Sequence, residues 1–211
     1  MKITKFGHCC MLVEEKGVRI LIDPGSFTTA QNELKNINLI LITHEHMDHI
    51  SIDSLKKILK NNPNTKIMTN NGVGLILKKE DIPFTLLEDG QKYTEKGVMV
   101  EGFGKKHEII YETLPRQDNT AYLINNRFFY PGDSFTKPDK PVEILALPVS
   151  APWGKISEFI DYAIEIHPKV CFPVHDGIMS NPSAFSRIFS GILESKGIRF
   201  LPIENGKEFV F

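Results

Sequence analysis

One segment constrains this chain more than any other. Residues 39–50 read LILITHEHMDHI, an apolar run that ends in a cluster of histidines and acids. Leu39–Thr43 carries no charge and no polar alternation, which predicts a strand buried on both faces. Where that strand stops, His44, His46, Asp48 and His49 place four metal-ligand residue types in six positions. In extended or loop backbone, side chains two apart point the same way, so His44 and His46 can grip one ion. Asp48 and His49 come one turn later, at the entrance to a helix, and can aim at a second ion beside the first. Imidazole and carboxylate together suit zinc, iron or manganese. The competing reading is a chance surface cluster, and the cluster's place at the end of a buried strand argues against it.

The surrounding pattern is built from short units. Strands are predicted at Lys2–Phe6, Cys10–Glu14 and Val18–Ile22, the last two joined by a hairpin signal that contains Gly17. Asp-Pro-Gly at 23–25 then breaks the strand into a loop. Ser51 can cap a helix whose Ile52, Leu55, Ile58 and Leu59 share one face. A strand at Lys66–Thr69, a short helix at Gly72–Lys79 and a strand at Phe84–Leu87 follow. Gln91–Arg127 reads as strands and loops. The last third alternates: strand Ile144–Val149, helix Ile156–Ile166, strand Val170–Val174, then a helix over Asn181–Lys196 with Asn181 as cap, Pro182 at its first position and Gly197 as stop. The two halves repeat one plan, β-rich stretches followed by βα units. That predicts two packed sheets with helices outside, one α/β domain over 1–211 in four layers.

A metal needs further ligands. Asp133, in YPGDS, ends another predicted strand and can bridge two ions, with Ser134 free to hydrogen-bond a ligand. His175, in FPVHDG, ends a third. His107 has undistinctive flanks, yet no other histidine lies between His49 and His167. His167 stands before Pro168 at a helix C-terminus, where a cationic side chain suits the dipole. His8 reads as a contact near the metals or a structural residue. Cys9 and Cys10 alternate across their strand and read as packing residues. Asp23 reads as a loop-fixing acid. Trp153 reads as a residue of the cleft mouth or of the core.

HEHMDH at 44–49, His107, GDS at 132–134 and PVHD at 173–176 together resemble the metallo-β-lactamase superfamily, in the right order and over nearly the whole chain. GHCCMLVE and LIDPG resemble the branch of ascorbate-phosphate lactonase-like and N-acylphosphatidylethanolamine phospholipase-like hydrolases, except that Cys9 replaces a small residue. The resemblance implies an αββα sandwich with a two-metal site on one sheet edge. It assigns His44, His46 and His107 to the first metal, Asp48, His49 and His175 to the second, and Asp133 to the bridge. The expected cofactors are two divalent ions, zinc ahead of manganese or iron. The expected chemistry is attack by a shared hydroxide on a small ester, lactone or phosphodiester, with Asp48 orienting that hydroxide or taking its proton.

Composition narrows the alternatives. The formal net charge is -1, and Lys78-Lys79 and Lys105-Lys106 read as solvated faces. A nuclease of the same fold would want a basic module. A mono-iron sulfur-handling protein shares this histidine cluster and stays as an alternative. Diiron oxygen reducers usually place Glu where His46 stands. A non-catalytic binding protein is disfavoured by the full ligand set, and no Gly-x-Ser-x-Gly elbow is present. The odd count of three cysteines, one pair vicinal, is a poor disulfide framework, and the N-terminus carries no signal-peptide core. The expectations are therefore a cytoplasmic protein, a small-molecule substrate, no nucleic acid and no membrane insertion, with self-association left open.

Overall fold

Side-chain alternation decides the architecture. The structure, a computed structural model, describes residues 1–211. In the first sheet, β1 (Lys2–Gly7), β2 (Cys10–Glu15) and β3 (Val18–Ile22) form an antiparallel meander. Next to β3 follow β4 (Leu39–Leu41), β5 (Lys66–Thr69) and β6 (Thr85–Leu86), all parallel. The second sheet repeats the plan. There β7 (Lys92–Glu95), β8 (Val98–Phe103), β9 (Ala121–Ile124) and β10 (Phe128–Tyr130) are antiparallel, and β11 (Ile144–Pro148), β12 (Val170–Val174) and β13 (Arg199–Phe200) continue in parallel. The chain then returns to the first sheet, where β14 (Glu208–Val210) pairs antiparallel with β1.

One face of each sheet meets the other sheet. Met11, Val13, Ile20, Ile22, Leu39 and Leu41 pack there against Tyr122, Ile124, Phe128 and Phe172. The alternate residues Leu12, Leu21, Ile40 and Ile42 pack against Leu55 and Ile58 of α1 (Ile52–Asn61) and Val73 and Leu77 of α2 (Asn71–Lys79). On the far side, Leu123, Phe129, Leu145 and Leu147 meet α3 (Ile156–Ile166) and α4 (Pro182–Glu194). The expected αββα sandwich is what forms. Each fully buried Leu or Ile of these layers contributes about 1.5–3 kcal/mol. No helix is long and apolar enough to cross a membrane, and all three cysteines are free and buried.

Several boundaries shift by a residue or two from the sequence pattern, and two of the shifts have a side-chain cause. The short helix begins at Asn71, one residue early, because the Asn70 side chain accepts from Val73 N–H (3.1 Å) and caps it. β4 stops at Leu41 rather than Thr43, because the Thr43 N–H is taken by the carboxylate of Asp23 (2.8 Å). That second difference is the first sign of how the site is organised.

Candidate metal centre

The chain gathers its chemistry at one end of the two sheets. His44, Asp133 and His175 each lie just beyond a strand, β4, β10 and β12 respectively. His8 lies in the β1–β2 turn and His107 in the β8–β9 connection. Glycines permit the close approach. A Cβ on Gly25 would fall 1.9 Å from Asp48 O, so only glycine lets the 23–25 loop lie against the 46–49 turn. Gly132 has φ +61 and would collide with Asn119 and Thr43 if it carried a Cβ, and its turn presents Asp133. His8 and His175 both adopt positive φ, +49 and +63. Non-glycine residues hold such backbone at a cost, of order 1–3 kcal/mol, and it gathers at functional sites.

Donor atoms form two facing groups. Those of His44, His46, His107 and Asp133 lie within 4.8 Å of one another, and so do those of Asp48, His49 and His175. Asp133 stands between them. Its Oδ1 is 2.7 Å from His175 Nε2 and 3.2 Å from His49 Nε2, while its Oδ2 is 3.2 Å from His107 Nε2 and 4.0 Å from His44 Nε2. The seven residues named from the sequence thus meet in one place, divided as the resemblance divides them.

Hydrogen bonding assigns the tautomers. Asp23 is fully buried and only accepts. Thr43 Oγ–H donates to its Oδ2 (2.7 Å), so Thr43 Oγ1 is left to accept from His44 Nδ1–H (3.0 Å). His49 Nδ1–H donates to the same carboxylate (2.6 Å), as does the Tyr130 hydroxyl (2.7 Å). His107 Nδ1–H donates to Glu108 O (2.6 Å). In its neutral form each of these histidines therefore turns a bare Nε2 lone pair into the cluster. His49 Nε2 then faces His175 Nε2 at 3.0 Å, and His44 Nε2 faces His46 Nδ1 at 3.1 Å. His107 Nε2 and Asp133 Oδ1 are buried without a hydrogen-bond partner. Converging lone pairs and a carboxylate repel one another unless a cation lies among them, so the donor set fits divalent metal.

The electrostatics divide the histidines into two kinds. Burial, then the charge of His49, holds His44 well below the usual imidazole range, as a neutral ligand requires. Burial would lower His49 and His175 too, but the negative charges of Cys9 and Asp133 carry both well above it, so in the metal-free chain each holds a proton that a cation must displace. Burial would raise Asp48, but the imidazoles of His49 and His8 beside it hold its carboxyl below the ordinary range. Asp48 and His46 are only half-buried, so the opening to solvent lies beside them.

The neighbouring residues take definite places. His8 Nδ1 accepts from Gly177 N–H (3.2 Å), so Nε2 carries the proton and donates to Asp48 Oδ2 (3.0 Å). Trp153 is buried rather than at the mouth, and its indole Nε1–H donates to Asp133 Oδ2 (2.7 Å). Ser134 bonds Pro131 O (3.0 Å), Thr136 Oγ1 (2.9 Å) and Asn119 Nδ2 (3.3 Å). It shapes the turn and touches none of the seven donors, because Asn119 fills the space beside Asp133 and accepts its N–H (3.0 Å). His167 is exposed at the end of α3, outside the cluster. Cys9 packs between the sheets, within 4.8 Å of donor atoms of His8 and His175, and Cys10 faces the helix layer.

Sequence reasoning passed over Asp23 as a setter of tautomers, with Thr43 and Tyr130 as its partners. It also passed over Lys5, fully buried, whose Nζ donates to Asp176 Oδ1 (2.5 Å) and Pro173 O (3.0 Å) and braces the His175 turn. A lysine in register with Ile3 on the core face of β1 was the available signal.

Two seven-stranded sheets between helix layers, with paired His/Asp groups at one sheet edge, define the metallo-β-lactamase fold. The chain belongs to the Beta-lactamase superfamily domain family, whose model matches residues 2–175. It is 32% identical over 216 residues to Protein Rv0786c of Mycobacterium tuberculosis, spanning 99% of this chain and 100% of that protein. It is 29% identical over 147 residues to a UPF0173 metal-dependent hydrolase of Methanobrevibacter smithii, covering 64% of this chain and 60% of that one. Its fold matches that of Igni18, a novel metallo hydrolase from Ignicoccus hospitalis, with a TM-score of 0.77 at 22% identity over 100% of this chain and 98% of that one.

Proposed function

We propose that the protein is a metal-dependent hydrolase with two divalent ions, most simply zinc, acting in the cytoplasm on a small ester, lactone or phosphodiester. One observation carries the reading: Asp133 turns one oxygen toward each of two separate donor groups. His44, His46 and His107 would hold one ion, Asp48, His49 and His175 the other, and Asp133 both. When bound, such ions supply Lewis acidity and a water of pKa near 7.

The chain's own residues do the rest. Asp23 orients His49 directly and His44 through Thr43, so that Nε2 of each faces the metal site. His8 holds Asp48 Oδ2 beside the opening. A carboxylate so stabilised is a weak base, which suits Asp48 to ligation and to orienting the attacking water more than to taking its proton. Trp153 and Asn119 fix Asp133. A net charge of -1 gives a polyanion little to bind, which disfavours a nuclease. The three unpaired cysteines support a reducing compartment.

The test is metal analysis of purified protein followed by a panel of lactones, phosphodiesters, esters and thioesters. We expect two ions per chain, and turnover that disappears with chelator and returns with zinc. Fewer than one ion per chain after equilibration with excess zinc refutes the reading. One iron and no zinc, with sulfur oxidation in place of hydrolysis, would move the protein to the mono-iron alternative.

A further inference from the structure

We propose that Trp153 is a positioning residue for Asp133: its indole N–H locks the carboxylate plane so that one oxygen faces each donor group. The proposal rests on the two-ion reading above.

An aspartate χ2 is a broad torsion with no strong preference of its own, so a carboxylate that must serve two ions needs an external lock. Backbone bonds do not provide one: Asp133 N–H goes to Asn119 and Asp133 O accepts from Glu108, and neither touches the carboxylate. The indole does. It donates to Oδ2 at 2.7 Å, the oxygen on the His107 side, and leaves Oδ1 to His175 and His49. Trp153 is 8% exposed, so its N–H is under pressure to find a partner, and Asp133 is the one it has.

The ring is itself held. Phe135 and Phe159 pack edge-on against it, at 5.2 Å and 76° and at 5.1 Å and 84°. An Ala151–Gly154 bridge closes the turn that carries it. A Cβ on Gly154 would lie 2.7 Å from Phe159 Cζ, so this glycine is what lets Phe159 close on the indole. The donor is therefore presented in one orientation by the core, independently of any ion.

Two replacements separate hydrogen bond from shape. Trp153→Phe removes the N–H and part of the ring. 3-Benzothienylalanine introduced at position 153 removes the N–H and keeps the bicyclic outline. Zinc affinity is read by chelator competition, and folding by thermal melting of the metal-free protein. We expect benzothienylalanine to leave the melting temperature near wild type and to weaken zinc binding by about 10–100-fold, as loss of outer hydrogen bonds to ligands does elsewhere. Because the chain has one tryptophan, wild-type emission should also change during zinc titration and level off at two equivalents. Unchanged affinity with benzothienylalanine, or emission indifferent to saturating zinc, overturns the role of Trp153 alone. Wild-type protein that binds no zinc overturns the two-ion reading with it.

Discussion

Asp23→Asn tests whether one buried acid governs both ion positions without touching either. Four donors point at the Asp23 carboxylate: Thr43 N–H at Oδ1, and Thr43 Oγ–H, His49 Nδ1–H and Tyr130 O–H at Oδ2. Asparagine fits the space but must turn an NH2 toward one of the two sides. Its better choice keeps the carbonyl toward the three donors and opposes the Thr43 N–H. That leaves a buried donor unpaired, costing about 1–3 kcal/mol, and removes the charge assistance from three bonds, roughly 1 kcal/mol each. These sum to about 4–6 kcal/mol, and asparagine is spared the burial of charge that pushes the Asp23 carboxyl up, so a net loss near 4 kcal/mol is expected, large against a total of about 5–15. Urea unfolding of the metal-free protein reads it as a lower midpoint with an unchanged slope. The metal effect is more diagnostic. His49 belongs to one donor group and His44, reached through Thr43, to the other, so zinc affinity should fall about 10–100-fold at both positions. Thr43→Val cuts the relay to His44 but leaves the His49–Asp23 bond, so it should weaken the His44 position more than the His49 position. If Asp23→Asn unfolds at the wild-type midpoint, or binds both ions as wild type does, the relay does not set the ligands.

Three further outcomes are expected. Lys5→Met removes a buried cation from Asp176 and should cost about 3 kcal/mol by chemical denaturation, with the His175 side losing zinc affinity more than the His44 side; equal losses would deny Lys5 its bracing role. Zinc affinity should climb as pH rises through and above 6.5. The negative charges of Cys9 and Asp133 overcome burial to raise His49 and His175, and a protonated imidazole cannot ligate. Calorimetry in buffers of different ionisation enthalpy should accordingly show proton release on zinc binding, and affinity flat between about pH 6 and 8 would contradict it. His8→Phe removes the donor that holds Asp48 Oδ2 and should lower turnover more than zinc content; an unaltered rate would make His8 structural.

The parts of this molecule legible in its sequence are those decided locally. Short apolar runs in Cys10–Glu15 and Val18–Ile22 around a turn at Gly17, and side-chain caps at Ser51 and Asn181, set strands and helices through neighbours a few residues away. The ligand types were legible for a related reason, since His44, His46, Asp48 and His49 share one turn. What stayed hidden depends on distant partners. Asp23 finds its donors 20, 26 and 107 residues along the chain, and Lys5 finds Asp176 171 residues away. The contrast between Asp23 and Asp133 shows the limit most clearly, because both are acids in a turn just past a strand. Asp23 itself takes the left-handed backbone, φ +44, so the chain turns at the acid and its carboxylate stays against β4, where it accepts from Thr43. Before Asp133 the left-handed residue is Gly132, so the chain has already turned and the carboxylate projects past the strand end among the histidines. Shifting the turn by one residue relative to the acid separates a residue that orients ligands from one placed to be a ligand, and residue type alone does not encode that shift.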